Sequence, residues 1–245
     1  MAFSHRMTGT HFPDPFTGEI LTDRADLVGE YVFGIDEPTS IVNRADPDNP
    51  LTVIGSPVYN SDHVVVLPHL SDGGVSGFDT GITLHQDGTM LCVRQNSNNA
   101  VTFYVMAPNN TMHMGIGGWS SNNRQSFGFN ALGEGCTFPR TEHPSPQAFF
   151  EALPFPDTEA ITPDGYYSLA GAVVKQAAND TANQIPYQDG ATIHIGGELS
   201  NGSASNTVPV HYAAIYQKRL NDAEVEAAYD EIKAYLLAAR GVSVA

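Results

Sequence analysis

The sequence predicts an all-β chain: a sandwich or barrel of antiparallel strands, closed by one C-terminal helix. Three observations carry that prediction. Short apolar stretches of strand length recur along the 245 residues. Turn signals separate nearly all of them, among them Asp72-Gly73-Gly74, Asp87-Gly88, Pro108-Asn109-Asn110, Asp164-Gly165 and Asp189-Gly190. No helical periodicity alternates with the strands, which argues against βαβ units. With 41% hydrophobic residues there is material for one sizeable core, and the 23 glycines and 16 prolines punctuate strands more than they build helices.

The elements follow in order. Residues 1–26 are polar, carry Gly9, Pro13, Pro15 and Gly18, and show no sustained periodicity. They predict an extended N-terminal arm. Its aromatics Phe3, Phe12 and Phe16 are too few to offset the entropy of folding on themselves, so they are expected to bury against a neighbouring subunit. The sandwich domain is placed at 27–245. Residues 27–33 alternate in part, with Tyr31 and Phe33 on one face. Further strands are predicted at 51–54, 63–67, 81–84, 89–94, 100–106, 112–116, 126–130, 166–175, 191–195 and 208–216. A short helix is expected at 146–153, capped by Ser145 and opened by Pro146, with Phe149, Phe150 and Leu153 on its apolar side.

The closing helix, placed at 222–240, has the clearest local signals. Asn221 is a good N-cap, Glu224 stands three residues on as its capping-box partner, and Leu220 and Val225 occupy the staple positions. Val225, Tyr229, Ile232 and Leu236 make one apolar stripe, Arg240 suits the C-terminus and Gly241 the stop. This predicts a surface helix lying on the sandwich by one face.

Composition excludes several roles. With 27 Asp and Glu against 11 Lys and Arg, the formal net charge is −16. No basic cluster exists to neutralise phosphates, so nucleic acid is not expected as a partner, and an anionic membrane surface would repel the chain. The start MAFSHRMTGTHF lacks the apolar run of a secretory signal, and no segment has membrane-spanning length. The protein is therefore expected to be made in a cytoplasm. Cys92 and Cys136 could pair with each other, but in that setting buried free thiols are the expected reading.

The stretch Ala214 to Tyr229, AIYQKRLNDAEVEAAY, resembles the closing signature of the concanavalin A-like, laminin-G-like jelly-roll domains. There a last strand ends in tyrosine, a basic turn and a leucine before a helix opens. Asp26-Leu27-Val28-Gly29-Glu30-Tyr31-Val32-Phe33 resembles the first strand, with Tyr31 where tryptophan is usual. Asp164-Gly165-Tyr166-Tyr167 resembles the Asp-Gly-Trp-His strand with both aromatics replaced. Tyr187-Gln188-Asp189-Gly190 and Thr192-Ile193-His194-Ile195-Gly196-Gly197 resemble the hairpin and strand that follow. The resemblance implies a two-sheet antiparallel jelly-roll sandwich. It implies function only broadly, since such folds host lectins, adhesion modules, glycan hydrolases and structural parts.

Chemistry is sparse. The paired carboxylates that glycanases of this superfamily carry on one strand are absent, and the densest acidic cluster, Asp222 to Glu231, is explained by helix capping and solvation. None of the nine histidines has metal-ligand spacing. His194 is expected on the strand face opposite Ile193 and Ile195, and His63 and His69 flank an apolar strand. Asp72, Asp79 and Asp87 suit Asx-turns better than a calcium loop. No nucleophile elbow, phosphate loop or dinucleotide fingerprint is present, so no cofactor and no catalytic residue is expected. The most informative loop is Trp119-Ser120-Ser121-Asn122-Asn123-Arg124-Gln125. Trp119 offers an aromatic face for sugar C–H groups, while Asn122, Asn123 and Arg124 offer donors for hydroxyls; turn formation by Asn and inward packing of Trp119 are the competing explanation.

The reading that fits best is a non-enzymatic virion module, a phage tail, fibre or capsid decoration protein. Its partners would be neighbouring subunits or copies of itself, and a cell-surface glycan. An adhesion-type domain without a secretion signal suits a particle assembled in the host cytoplasm. The rivals are a glycan-processing enzyme and a cytosolic bacterial lectin-like protein.

Overall fold

The computed structural model describes residues 20–67, 74–83, 87–95, 100–106, 112–118, 126–128, 147–154, 164–177, 192–196 and 207–245. The elements are β1 (Leu27–Val32), α1 (Glu37–Ser40), β2 (Thr52–Ile54), β3 (Val58–Tyr59), β4 (Val64–Val66), β5 (Gly77–Thr83), β6 (Thr89–Gln95) and β7 (Ala100–Met106). Then follow β8 (Met112–Gly118), β9 (Ser126–Gly128), β10 (Ala148–Pro154), β11 (Asp164–Leu169), β12 (Ala172–Ala177), β13 (Thr192–Gly196), β14 (Val208–Tyr216) and α2 (Asp222–Arg240).

They form two antiparallel sheets. The first has eight strands in the order β12-β11-β10-β6-β14-β4-β3, with β1 also on β14; the second has six, β2-β5-β13-β7-β8-β9. Strand β14 organises the first sheet. One edge pairs with β6 through Val210–Tyr216, whereas the other pairs with β4 through Val208–Val210 and with β1 through Tyr212–Tyr216. On the β6 side the register slips between Val210 and Tyr212, so His211 is the extra residue of a β-bulge. The bulge also changes parity. Val208 and Val210 face the core between the sheets before it; Ala213 and Ile215 do so after it.

There are two apolar layers. Between the sheets pack Tyr31, Phe33, Phe78, Met90, Phe103, Ile193, Ile195 and Ile215. Over the outer face of the first sheet lies α2, whose Val225, Ala228, Tyr229, Ile232 and Leu236 cover Leu91, Val93, Phe150, Tyr212 and Ala214. The capping box of Asn221 and Glu224 is formed, and Gly241 ends the helix at φ 68°. Of the residues assigned above to the arm, Ile20 and Leu21 are seated in this layer. Ile20 and Leu21 are buried, and Thr22 donates its main-chain N–H and its hydroxyl to the Glu231 carboxylate on α2.

The helix expected at 146–153 is instead strand β10. Every residue of Ala148–Pro154 is buried, because the strand lies inside the first sheet between β6 and β11. Ala148, Phe150 and Ala152 face the helix layer, while Leu153 faces the sheet interface. A strand apolar on both faces has no alternation, and a short run of that kind cannot be told from a helix by period. The single strand expected at 166–175 is a hairpin, β11 and β12, turned at Ala170 (φ 51°) and Gly171 (φ 87°). Positive φ at both central residues is what a two-residue hairpin with native twist requires. Sequence reading also missed β3 and α1, the latter capped by Asp36.

Candidate functional site

The predicted glycan-contacting residues Trp119, Asn122, Asn123 and Arg124 lie outside the described residues, as do Phe3, Phe12 and Phe16 of the arm. In the sequence Trp119 to Gln125 fall between β8 and β9, which pair at one edge of the second sheet. His194 stands on the face opposite Ile193 and Ile195, as alternation requires. It is nonetheless buried, 3.7 Å from Asp79, and burial lowers its pKa against the opposing pull of that carboxylate.

Two carboxylates are buried among the described residues, and both are committed to arginine. Glu151 on β10 accepts from Nε of Arg94 and, at 3.1 Å, from its Nη2, inside the sandwich. Burial opposes the Arg94 charge, but Glu151 outweighs it and the net shift of its pKa is upward. Cys92, a free buried thiol beside them, is pushed well up by burial and then by the Glu151 charge. Glu30 on β1 accepts from Arg24 Nη1 at 3.1 Å, the Tyr212 hydroxyl at 3.0 Å and the Leu21 N–H at 3.3 Å. An open cleft of about 240 Å³ between residues 21–23 and α2 is rimmed by Asp23, Glu224 and Glu231. Those groups are also engaged, the first two by Lys218 and the third by Thr22.

Among the described residues, one cluster of ligand-type groups stands out, Asp62, His63 and His211. Its parts come from the turn before β4 and from the β14 bulge. Asn60 closes the turn by donating its N–H to the His63 carbonyl, and its own carbonyl accepts from Ile35. Gly34 lets the turn sit close: at φ 112°, a Cβ there would stand 2.7 Å from the His63 nitrogen. The next residue, Ile35, is also left-handed at φ 69°, a region that a β-branched residue enters only at a cost of about 1–3 kcal/mol. The bulge removes His211 from the strand alternation and turns its ring toward this turn.

The polar contacts define one protonation pattern. His211 Nδ1 donates to the Asp62 carbonyl at 2.8 Å, and its Nε2 lies 3.4 Å from the Gln95 amide nitrogen. His63 Nδ1 is 2.8 Å from Asp62 Oδ1, and its Nε2 lies 3.1 Å from Asn60 Nδ2. A neutral ring with its proton on Nδ1 satisfies all four contacts. Burial lowers the His211 pKa, the Asp62 carbonyl and carboxylate oppose that shift, and His63 adds to it. The two rings meet edge-on, 5.3 Å apart. Sequence reasoning treated His63 as a strand-flanking residue and did not consider His211 or Asp62. The two partners are 149 positions apart, and no local spacing joins them.

The fold defines the chain as an all-β two-sheet sandwich with a helix on one face. No family model matches the sequence, and no curated protein does. Among solved structures, the chain is similar to Trypanosoma rangeli sialidase in complex with sialic acid, at 13% identity and TM-score 0.53, over 89% of this chain and 34% of that one. A mutant of the same sialidase displaying trans-sialidase activity gives 14% and 0.55, over 84% and 33%. The botulinum neurotoxin type G receptor binding domain gives 9% and 0.56, over 85% and 52%. The chain thus spans about a third of the length of the sialidases it matches.

Proposed function

We propose that the chain is a non-enzymatic attachment module that binds a cell-surface glycan and is carried as a structural part of a virion. The observation that carries the non-enzymatic reading is the state of the buried carboxylates. Most glycoside hydrolases use two facing carboxyl groups free to protonate a leaving group and to attack or stabilise the sugar, although sialidases replace the carboxylate nucleophile with a tyrosine. Glu30 and Glu151 are each locked to an arginine in a buried layer. The sandwich supports recognition, being shared with a toxin's receptor binding domain and with part of a sialidase solved with sialic acid. Contact is assigned to the loop between β8 and β9, through Trp119, Asn122, Asn123 and Arg124.

A glycan array, followed by titration of the best sugar, tests this. Binding is expected, and Trp119→Ala should weaken it by roughly tenfold, about 1.4 kcal/mol. Release of free sugar from the bound glycan would favour the enzymatic rival. No binding by the folded protein would remove the glycan from the proposal.

Attachment to a particle is assigned to the N-terminal arm. Ile20 and Leu21, the first described residues, are buried in the layer under α2 and are therefore counted with the domain and not with the arm. Each phenylalanine that a neighbouring subunit covers gains about 1.5–3 kcal/mol. Deleting residues 2–19 while keeping Ile20 onward should leave a folded domain that no longer self-associates or joins its particle. Light scattering and co-sedimentation measure both, and normal assembly of the truncated chain would move the attachment surface onto the sandwich.

A further inference from the structure

We propose that Asp62, His63 and His211 bind one divalent transition-metal ion of the zinc class. The three ligand atoms already lie within 4.8 Å of one another. Metal–ligand bonds of about 2.0–2.2 Å place the ligands of a four-coordinate ion roughly 3.3–3.5 Å apart, so side-chain rotations of about an ångström close the site. Two imidazoles and one carboxylate suit zinc, nickel, cobalt or copper. Calcium and magnesium require more oxygen ligands than this cluster offers.

The hydrogen bonds show how the ion would enter. Both Nδ1 atoms point at oxygens of one residue: His63 at Asp62 Oδ1, and His211 at the Asp62 carbonyl with Oδ2 3.9 Å away. An ion held among them replaces the two Nδ1 protons. Each proton is taken up at Nε2 of its own ring, so both imidazoles stay neutral and no net proton is released. The groups facing Nε2 are the amides of Asn60 and Gln95. A half-turn of either amide presents oxygen instead of nitrogen, and that oxygen accepts the new Nε2–H. This supplies the outer hydrogen bonds that orient metal-ligating histidines.

The cluster is also built at a cost to stability. A bulge aims His211, Gly34 gives close approach, and Ile35 is held in a left-handed conformation beside the turn. Such features concentrate at sites that must aim a side chain. His211 is buried, while the side chains of His63 and Asp62 are 18% and 32% exposed, which leaves an entry path.

The test uses the full chain without an affinity tag, stripped with chelator and then titrated with zinc chloride by calorimetry and cobalt chloride by visible absorption. The expected result is one ion per chain, a cobalt spectrum of low coordination number, and a melting temperature that rises with metal concentration. Calcium should give no such rise. His211→Ala risks misfolding because the ring is buried, so the informative variants are His63→Ala and Asp62→Asn, each matched to the parent by circular dichroism. Either should lose at least about 100-fold in zinc affinity. Gln95→Leu should lose about tenfold, as outer partners do. Absence of stoichiometric zinc binding, undiminished binding by both ligand variants, or an equal response to calcium would each overturn the proposal.

Discussion

Replacing Glu151 by alanine is expected to destabilise the protein by about 3–5 kcal/mol, a large share of the roughly 5–15 kcal/mol that holds a domain of this kind folded. Arg94 is fully buried between the sheets. Glu151 takes two of its donors, the Phe149 ring lies under the guanidinium with 4.8 Å between charge centre and centroid, and Nη1 has no hydrogen-bond partner among the described residues. Removing the carboxylate leaves a guanidinium that cannot lose its proton and has no counter-charge in an apolar layer. The partners sit on adjacent strands, with Glu151 opposite Cys92 and Phe149 opposite Arg94, so β6 and β10 would both be strained. The matching experiment is the double change Arg94→Met with Glu151→Leu. Apolar replacement of a whole buried pair is often neutral or stabilising by about 1–4 kcal/mol, so the double variant should recover most of the loss. Urea unfolding measures both. A parent-like Glu151→Ala variant would mean that water reaches Arg94.

The parts of the fold legible in the sequence are those whose causes are local. Helix α2 is specified within its own residues, by the Asn221–Glu224 box, the apolar stripe and Gly241. Strands β7 and β14 stand at the bounds that their apolar runs predict, 100–106 and 208–216. Strand β10 was not legible because its neighbours determine it. It is buried on both faces, by the opposite sheet and by α2, so its apolar run carries no period. The hairpin at Ala170 and Gly171 was hidden because alanine does not announce a positive φ. The same division explains the site. Trp119 and its amides are readable as a type of loop, but the Asp62, His63 and His211 cluster exists only because a bulge in β14 meets the turn before β4. Bulges follow from tertiary register, and no residue pattern in Val210-His211-Tyr212 marks one.

The second large effect is expected at Ile232. Its side chain is fully buried at the middle of α2, in the layer that also holds Phe150 and Tyr229, whose rings lie 5.5 Å apart. Ile232→Ala should cost about 2–5 kcal/mol, from lost transfer energy and the cavity left behind. Ile232→Asp should cost more, because an unpaired carboxylate in that layer must stay protonated or draw in water. The helix cannot move away cheaply. The outer face of the first sheet beneath it, with Leu91, Val93, Ala152 and Ala214, is as apolar as the inner face, and α2 is what keeps it from water. The chain end is tied to the same layer: the Tyr229 hydroxyl donates to the Ala245 carbonyl at 2.8 Å, and Ala245 N donates to the Ala148 carbonyl at 2.9 Å on β10. Loss of the helix should therefore unfold the sandwich in one cooperative transition rather than free a stable β domain. Calorimetry of Ile232→Asp should show a single transition at much lower temperature, or an insoluble protein. A second, parent-like transition would mean that the two sheets stand without the helix, and a parent-like melting temperature would remove Ile232 from the core.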